Sequence, residues 1–203
     1  GWGSSPPPEH YHTCGELDHD FGSQHGQDER VLALLSNRRH EPRYFIDLAA
    51  NKPESLSNTV QLEHEGWSGL CIDASAHSAA RFGASKRTCT FVRALVGDTS
   101  TPRSHALLFR DVVPGPSSTL AWTDGLSSVV SSAHQPFCWA AGKCVPPNLA
   151  RARHGVRLVH TRMPVRTLGQ LLDDTHAPRT IDYMSLDVRA RSPSKSSDLT
   201  GSS

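Results

Sequence analysis

The segment from Arg43 to Thr59, RYFIDLAANKPESLSNT, constrains the fold of this chain more than any other stretch. It opens with a short apolar run, YFIDL, which is typical of a strand buried on both faces, and Asp47 lies near the carboxyl end of that run. The order of strand, tight turn of small residues and helix predicts an open α/β sheet. In such a sheet the ligand binds beyond the carboxyl ends of the strands. Three residues form the predicted turn, with backbone amides expected to face the ligand: Ala49, Ala50 and Asn51.

Composition limits the classes of protein to which the chain can belong. Its 203 residues are enough for one sizeable core, although only 36% of them are apolar. A net charge of +1 gives no electrostatic argument for binding nucleic acid or an anionic membrane. No apolar run approaches the roughly 20 residues of a membrane span. The glycine motifs of dinucleotide sites, P-loops and hydrolase elbows are absent from the sequence.

Three further segments repeat the pattern of an apolar strand that ends near an acid. They are residues 70–72, 89–96 and 181–188, and a helix is predicted over residues 77–82. Strands that alternate with helices fit right-handed crossovers and therefore a parallel sheet. The acids at the ends of these strands are Asp73, Asp98 and Asp187.

Apolar spacing predicts three more helical segments. Residues 27–35 have acids in the first turn and an apolar face that should pack beside the first strand. Residues 56–65 and 167–174 have the same kind of spacing. The inward-facing residues are predicted to be Val31, Leu34 and Leu35 in the first segment, Leu56, Val60 and Leu62 in the second, and Leu168, Leu171 and Leu172 in the third.

The four acids predict a binding crevice, because the carboxyl ends of parallel strands share one edge of the sheet. Asp73, after the second strand, suits two ribose hydroxyls, since a carboxylate accepts two parallel hydrogen bonds. Asp98 could accept a hydrogen bond from the exocyclic amine of an adenine. A single aspartate at a strand end is more commonly a turn or capping residue. Four acids in register with this strand pattern favour the site.

The remaining segments are predicted to contribute less to the core. Residues 1–25 and 189–203 are polar and are interpreted as a disordered arm and tail. Residues 123–155 are rich in Ser, Pro and Gly and are interpreted as a long insertion or lid, preceded by strands at 106–109 and 119–122 and followed by one at 156–160. A metal site in the arm is less favoured than solvated side chains, because no fourth ligand has the usual spacing: His10, His12 and Cys14.

The five cysteines do not resemble a disulfide framework or a structural zinc site, because their number is odd and no CxxC pair occurs. Cys71 and Cys89 lie in apolar runs and are interpreted as small core residues. Cys138 and Cys144 are close enough in sequence to pair in an oxidising compartment, and that pairing is left open.

Several blocks together resemble the FkbM-type methyltransferases, which use S-adenosylmethionine. The blocks are SQHGQDERVL, FIDLAAN with LSNT, GWSGLCIDAS, RTCTFVRALVGD, MPVRTLGQLLDD and IDYMSLDV. They cover roughly residues 22–188, with a poor match in the middle insertion, so the resemblance implies one domain over residues 26–188. It also implies a Rossmann-like methyltransferase fold with a parallel sheet. The residues that fall on the family's cofactor motifs are Asp47, Ala49, Ala50, Asn51, Ser57, Asn58, Asp73, Ala74, Ser75, Asp98 and Asp187.

The sequence departs from the family pattern at two places. The family commonly has Gly where Ala49 stands, and Pro53 removes a backbone donor from the loop that should meet the methionine end of the cofactor. After Asp187–Val188 the family continues EGAE, whereas this chain continues RARS with no later strand. A sheet incomplete at its C-terminal end is therefore expected, and a shifted reading frame would explain it, which the parent transcript would test.

The expected function is methyl transfer from S-adenosylmethionine to a hydroxyl of a sugar or another small acceptor. No catalytic base is assigned, although His134 and His160 are available. The alternatives are a truncated, inactive remnant, a binding module whose sheet a partner completes, and a nicotinamide-dependent oxidoreductase. The expected location is the cytoplasm if the N-terminus is complete, and the secretory pathway if an anchor has been lost.

Overall fold

The computed structural model describes residues 23, 25–35, 42–98, 106–116, 126–140 and 143–187, without the side chains of residues 139, 140 and 151. The predicted tail, the strand predicted at 119–122 and the histidine-rich start with His10, His12 and Cys14 lie outside these residues.

The fold is mixed α/β. Its elements are α1 (Gln27–Leu34), β1 (Tyr44–Leu48), α2 (Val60–His64), β2 (Ser68–Asp73), α3 (Ala76–Ala84), β3 (Thr90–Arg93), β4 (Leu95–Val96), β5 (Ala106–Pro114), β6 (Ser128–Val130), β7 (Phe137–Ala140), β8 (Lys143–Val145), α4 (Pro147–His154), β9 (Val156–Arg166), α5 (Leu168–Asp174) and β10 (Tyr183–Leu186).

Four parallel strands form the first sheet, in the order β10-β1-β2-β3. The prediction that β1 is buried on both faces is confirmed, since Phe45 and Ile46 belong to apolar clusters on opposite sides of the strand. Phe45 lies opposite Gly69 on β2, where an added Cβ would come within 2.3 Å of the aromatic ring. The glycine therefore provides the space for the aromatic ring of Phe45.

The helices around this sheet follow the predicted positions with two corrections. Leu34 is 80% exposed, and the apolar face of α1 is formed by Val31, Leu32 and Leu35 instead. Leu56 is 55% exposed with a φ of 60°, so it does not belong to a helical face. The prediction for α5 is confirmed, with Leu171 fully buried, Leu168 and Leu172 packed beside it, and a capping box between Thr167 and Gln170.

The strand predicted over residues 89–96 is two strands that belong to different sheets. β3 pairs with β2, whereas β4 pairs in parallel with β9. The chain changes sheet at the buried Ala94, whose backbone N–H donates to the carbonyl of Asp73. The position of Asp98 is therefore determined by the second sheet.

The second sheet has the order β4-β9-β5-β6, and β5 runs antiparallel to β9 over nine residue pairs. Most of the segment interpreted as an insertion or lid is built from β6, the hairpin of β7 and β8, and α4. The hairpin and α4 pack against β5 and β9 in a second apolar core, made of Val112, Leu126, Phe137, Val145, Ala150 and Val156.

Two disulfides link neighbouring strands. Cys71 and Cys89 are confirmed as core residues, and they are also bonded to each other, which was not predicted: β3 begins beside β2 and brings their Cα atoms to 6.0 Å, within the range that a disulfide spans. Cys138 and Cys144 pair across the β7–β8 hairpin. None of the helices in the described part of the chain is long and apolar enough to cross a membrane.

Candidate functional site

Three of the four predicted acids lie at one edge of the first sheet. Asp47 and Asp73 are on the neighbouring parallel strands β1 and β2, near their carboxyl ends. Asp187 follows β10, and its backbone N–H donates to the carbonyl of Leu48 at 3.2 Å. Asp98 follows β4, which pairs with β9 in the second sheet.

The turn after β1 is tied to β2, which corrects the expectation that its amides face a ligand. The N–H groups of Ala49 and Ala50 both donate to the carbonyl of Ile72, at 2.9 and 3.1 Å. The N–H of Asn51 donates to Oδ2 of Asp73 at 2.9 Å. Ala49 and Asn51 have φ values of 65° and 49°, in the left-handed region, so the chain folds back over β2. This return explains why a glycine suits position 49.

Asp73 is the best-oriented acid of the site. Its Oδ1 accepts from the N–H of Ser75 at 2.7 Å, and its Oδ2 accepts from Asn51. A carboxylate offers about four lone-pair positions, so these two backbone bonds use about half of its accepting capacity. Burial raises the pKa of Asp73 and outweighs the two amide bonds and Arg81, which lower it. Arg81 Nη2 in turn donates to the backbone O and Oδ1 of Asn51, at 3.0 and 3.1 Å.

Asp47 faces the protein interior. It is 4% exposed, and its Oδ2 accepts from the hydroxyl of Thr59 at 2.7 Å. Burial raises its pKa, opposed by hydrogen bonds from Thr59 and Ser185 and by the charge of Arg87. Asp47 therefore positions these neighbours and does not present a carboxylate to solvent.

A buried ion pair that the sequence did not reveal lies beneath the segment 51–59. Arg87 and Glu63 have side chains only 3% and 5% exposed, and Arg87 Nε donates to Glu63 Oε2. Arg87 also donates to the hydroxyls of Ser57 and Thr59, at 3.1 and 2.8 Å, and to the carbonyl of Pro53. Ser57 Oγ accepts from the amides of residues 59 and 60, so the predicted Ser57 is a turn residue.

A cavity of about 390 Å³ opens beside β10 at the same edge of the sheet. Two predicted site residues, Asn58 and Asp187, line it. Asn58 Nδ2 donates to Ser185 Oγ at 2.9 Å. Its lining includes one carboxylate and no Lys or Arg, which favours a neutral or cationic ligand. The full lining is His25, Gln27, Leu56, Asn58, Tyr183, Met184, Ser185, Leu186 and Asp187.

Asp111 of β5 connects the second sheet to the loop after Asp73. It is 3% exposed, and it accepts from the hydroxyl of Ser75 at 2.7 Å and from the N–H of Ala76 at 2.8 Å. The predicted Ser75 is therefore the N-cap of α3 and an anchor to Asp111. The predicted Ala74 accepts at its carbonyl from Arg93 Nε. No local pattern could have indicated Asp111, because its partners lie some 35 residues earlier in the chain.

The two histidines considered as bases differ in setting. His160 Nε2 accepts from Arg110 Nε at 3.2 Å in the second sheet, where burial and the charge of Arg110 lower its pKa. His134 is exposed. Neither lines the cavity, whereas His25 does. Among the described residues, no group of three or more His, Cys, Asp or Glu side chains could hold a metal ion.

The cavity and the exposed carboxylate of Asp187 lie beside β10, whereas Asp73 ends β2, two strands away in the same parallel sheet, and does not line the cavity. Such an arrangement can bind a small ligand with hydroxyl groups and positive charge. No family model, curated protein or solved structure matches this chain.

Proposed function

We propose that the chain is an S-adenosylmethionine-dependent methyltransferase of the FkbM kind, with a Rossmann-like fold. It would transfer the methyl group to a hydroxyl of a small molecule or glycan. The observation that carries this proposal is Asp73, which ends β2 and accepts one backbone hydrogen bond at each carboxylate oxygen, in the same parallel sheet as the strand β10 that lines the cavity. The cavity volume lies within the range of about 300–1,000 Å³ that is usual for small-molecule sites.

The residues present fit the cofactor in part. Asp73 can accept the two ribose hydroxyls, and Asp187 can attract the positive sulfonium and ammonium groups. The amides of residues 49–51 donate within the protein, so they shape the site and do not bind the cofactor. S-adenosylmethionine would supply an electrophilic methyl group, which the site must hold in line with the acceptor oxygen.

His25 is the residue we assign as proton acceptor. It lines the cavity together with Asp187, and an unprotonated imidazole can take the proton that the acceptor hydroxyl loses. Asn58 and Ser185 would orient the acceptor through the amide and hydroxyl groups that line the same cavity. His25→Gln should therefore lower the rate of methyl transfer and leave cofactor binding unchanged.

Isothermal titration with S-adenosylmethionine tests the proposal. Asp73→Asn should weaken binding by about 10–100-fold, because hydrogen bonds to a charged group contribute about 1.5–3 kcal/mol. Asp173→Asn, on the exposed surface of α5, is the matched control and should bind as the wild type does. Folded wild-type protein that gives no binding heat at millimolar cofactor would reject the proposal.

A second candidate function is a binding module, favoured by the edge of the first sheet. Within the described residues β10 is an edge strand that carries two exposed apolar side chains, Met184 and Leu186, and the exposed Leu56 lines the same cavity. Open strand edges accept further strands. This candidate predicts concentration-dependent association in light scattering that Leu186→Lys abolishes, and a monomer at all concentrations contradicts it.

A further inference from the structure

The carboxylate of Asp73 is held between two separate segments of backbone. Its Oδ2 accepts from the N–H of Asn51, in the turn after β1, and its Oδ1 accepts from the N–H of Ser75, in the turn before α3. These donors lie 22 and 2 residues from Asp73 in the sequence. Whatever holds the two amides in place therefore also sets the direction in which the carboxylate faces.

Asp111 of β5 holds the amide on one side. Its Oδ1 accepts from the hydroxyl of Ser75 at 2.7 Å, and its Oδ2 accepts from the N–H of Ala76 at 2.8 Å. Ser75 thus gives its hydroxyl to Asp111 and its N–H to Asp73, so one residue joins the two carboxylates. Asp111 is 3% exposed and also accepts from the hydroxyl of Ser127 at 3.2 Å. A buried carboxylate with three donors has little freedom to turn.

Arg81 of α3 holds the amide on the other side. Its Nη2 donates to the backbone O of Asn51 at 3.0 Å and to Oδ1 of the same residue at 3.1 Å. Asn51 has a φ of 49°, so its backbone is in the sparsely populated left-handed region, and both of its oxygens are tied to one guanidinium. The two amides that bind Asp73 are therefore supported by side chains of opposite charge.

These opposite charges act on Asp73 in opposite directions. Burial is the main cause that raises the pKa of Asp73, and the two amide bonds lower it. Of the charged neighbours, Asp111 raises that pKa and Arg81 lowers it. The other charged or titratable side chains on β1, the following turn, α3, β3 and the same part of β5 are Asp47, Lys52, His77, Arg93 and Arg110.

We propose that Asp111 and Arg81 are positioning residues for the ligand of Asp73, so that the second sheet and α3 together set the affinity of the site. This proposal rests on the proposed function for the identity of the ligand, S-adenosylmethionine. Both residues act through the amides of Ser75 and Asn51. A carboxylate accepts from two adjacent hydroxyls only when its plane faces both, so loosening either amide should weaken binding.

The titration of Asp73 in the ligand-free protein, followed by carbon-13 NMR of its carboxyl group, tests the pair. Asp111→Asn removes the charge and keeps one acceptor oxygen, so the midpoint should move to lower pH. Arg81→Gln should move it to higher pH. Asp173→Asn and Arg179→Gln make the same charge changes at exposed residues and should leave the midpoint unchanged. A purely structural role would not move the two midpoints in opposite directions.

Titration calorimetry with S-adenosylmethionine at pH 7 tests the effect on affinity. Asp111→Ala leaves Ser75 and Ala76 without their acceptor and should weaken binding by about 3–10-fold. Arg81→Lys keeps the charge on a side chain that is one bond shorter and cannot reach both oxygens of Asn51. It should also weaken binding by about 3–10-fold, with a titration midpoint for Asp73 nearer to the wild type than that of Arg81→Gln.

The proposal is overturned if the two midpoints stay unchanged or move in the same direction, or if the folded affinity variants bind as the wild type does. If Asp111→Ala does not melt cooperatively, Ser75→Ala replaces it, because it removes the same hydroxyl bond and keeps the N–H that Asp73 accepts. A wild type that binds no cofactor, together with midpoints displaced in opposite directions, would reject the proposed function and support the positioning of Asp73, since the NMR titration uses no ligand.

Discussion

The two sheets bury polar groups in different places. The first sheet has apolar residues in the middle of β1 and β2, and its acids lie near the carboxyl edge. The second sheet buries Arg110 and Asp111, each 3% exposed, in the middle of β5. Asp111 anchors α3 of the first sheet, and Arg110 donates to the carbonyls of Gln135 and Pro136. At the carboxyl edge of the first sheet Asp187 is exposed and Asp73 is partly exposed, although Asp47 is turned inward, whereas Arg110 and Asp111 inside the second sheet hold elements together.

The largest expected effect comes from the two buried arginines. Arg87→Met should lower the free energy of unfolding by about 3–5 kcal/mol, because it leaves the buried Glu63 without its counter-ion. Arg110→Met should cost about 1–3 kcal/mol, because the acceptors that it leaves without this donor are two neutral carbonyls and the ring nitrogen of His160. Urea unfolding followed by tryptophan fluorescence measures both values. Glu63→Gln added to Arg87→Met should recover part of the loss, and equal losses for the two arginines would contradict this view of the sheets.

The next largest loss of stability is expected when either disulfide is removed. Replacing Cys71 and Cys89 by serine should cost about 3 kcal/mol, and replacing Cys138 and Cys144 about 2 kcal/mol. The difference arises because the first bond closes a loop with a sequence separation of 18 residues and the second one of 6. Thermal unfolding of both double variants, without reductant, measures the order. A greater loss from the hairpin bond would contradict the loop-entropy argument.

The pH dependence of stability tests the interior position of Asp47. Burial raises its pKa in the folded state above the unfolded value of about 3.9, so the folded protein holds this proton more tightly. The resulting loss of stability is absent below the unfolded pKa, grows as pH rises toward the folded pKa, and is complete above it. Asp47→Asn should remove this part of the pH dependence and raise stability at neutral pH.

Urea midpoints from pH 3 to 8 measure the effect. Asp173→Asn, at an exposed position on α5, is the control and should keep the wild-type profile. If the urea midpoints of Asp47→Asn changed with pH as those of the wild type do, the carboxylate of Asp47 would titrate as an exposed acid does. That result would contradict its interior position.

The smallest effect concerns the turn after β1. Ala49 has a φ of 65°, which costs an alanine about 1–2 kcal/mol relative to its preferred region. Ala49→Gly removes that cost but adds about 0.4–1 kcal/mol of unfolded-state entropy. A net stabilisation between about 0 and about 1.6 kcal/mol is therefore expected in urea unfolding. A loss of more than about 1 kcal/mol would show that the methyl group of Ala49 is needed for packing.

The parts of the first sheet that could be predicted are those encoded by neighbouring residues. The apolar runs of β1, β2 and β10 are local signals, and parallel order then places Asp47, Asp73 and Asp187 at one edge. The hydrogen bonds from residues 49 and 50 to Ile72 were not predictable, because they depend on the chain folding back over β2. The same is true of Arg87 and Glu63, which are 24 residues apart.

The second sheet was harder to predict because its partners are more distant in sequence. The division of residues 89–96 depends on β9, some 70 residues later, and no local pattern marks Ala94 as the change of sheet. The core against which the segment 123–155 packs uses one apolar residue each from β5, β7, β8, α4 and β9, together with Leu126. No periodic run of apolar residues therefore appears in the sequence of the segment.

Photochemical cross-linking tests the central claim most directly. The folded protein is irradiated with ultraviolet light in the presence of radiolabelled S-adenosylmethionine, and the labelled peptides are mapped with and without excess adenosylhomocysteine. The account predicts label, removed by the competitor, within residues 43–59, 67–81 or 180–187, at the carboxyl edge of the first sheet. Label confined to residues 106–166, or no protected label on a folded protein, would contradict it.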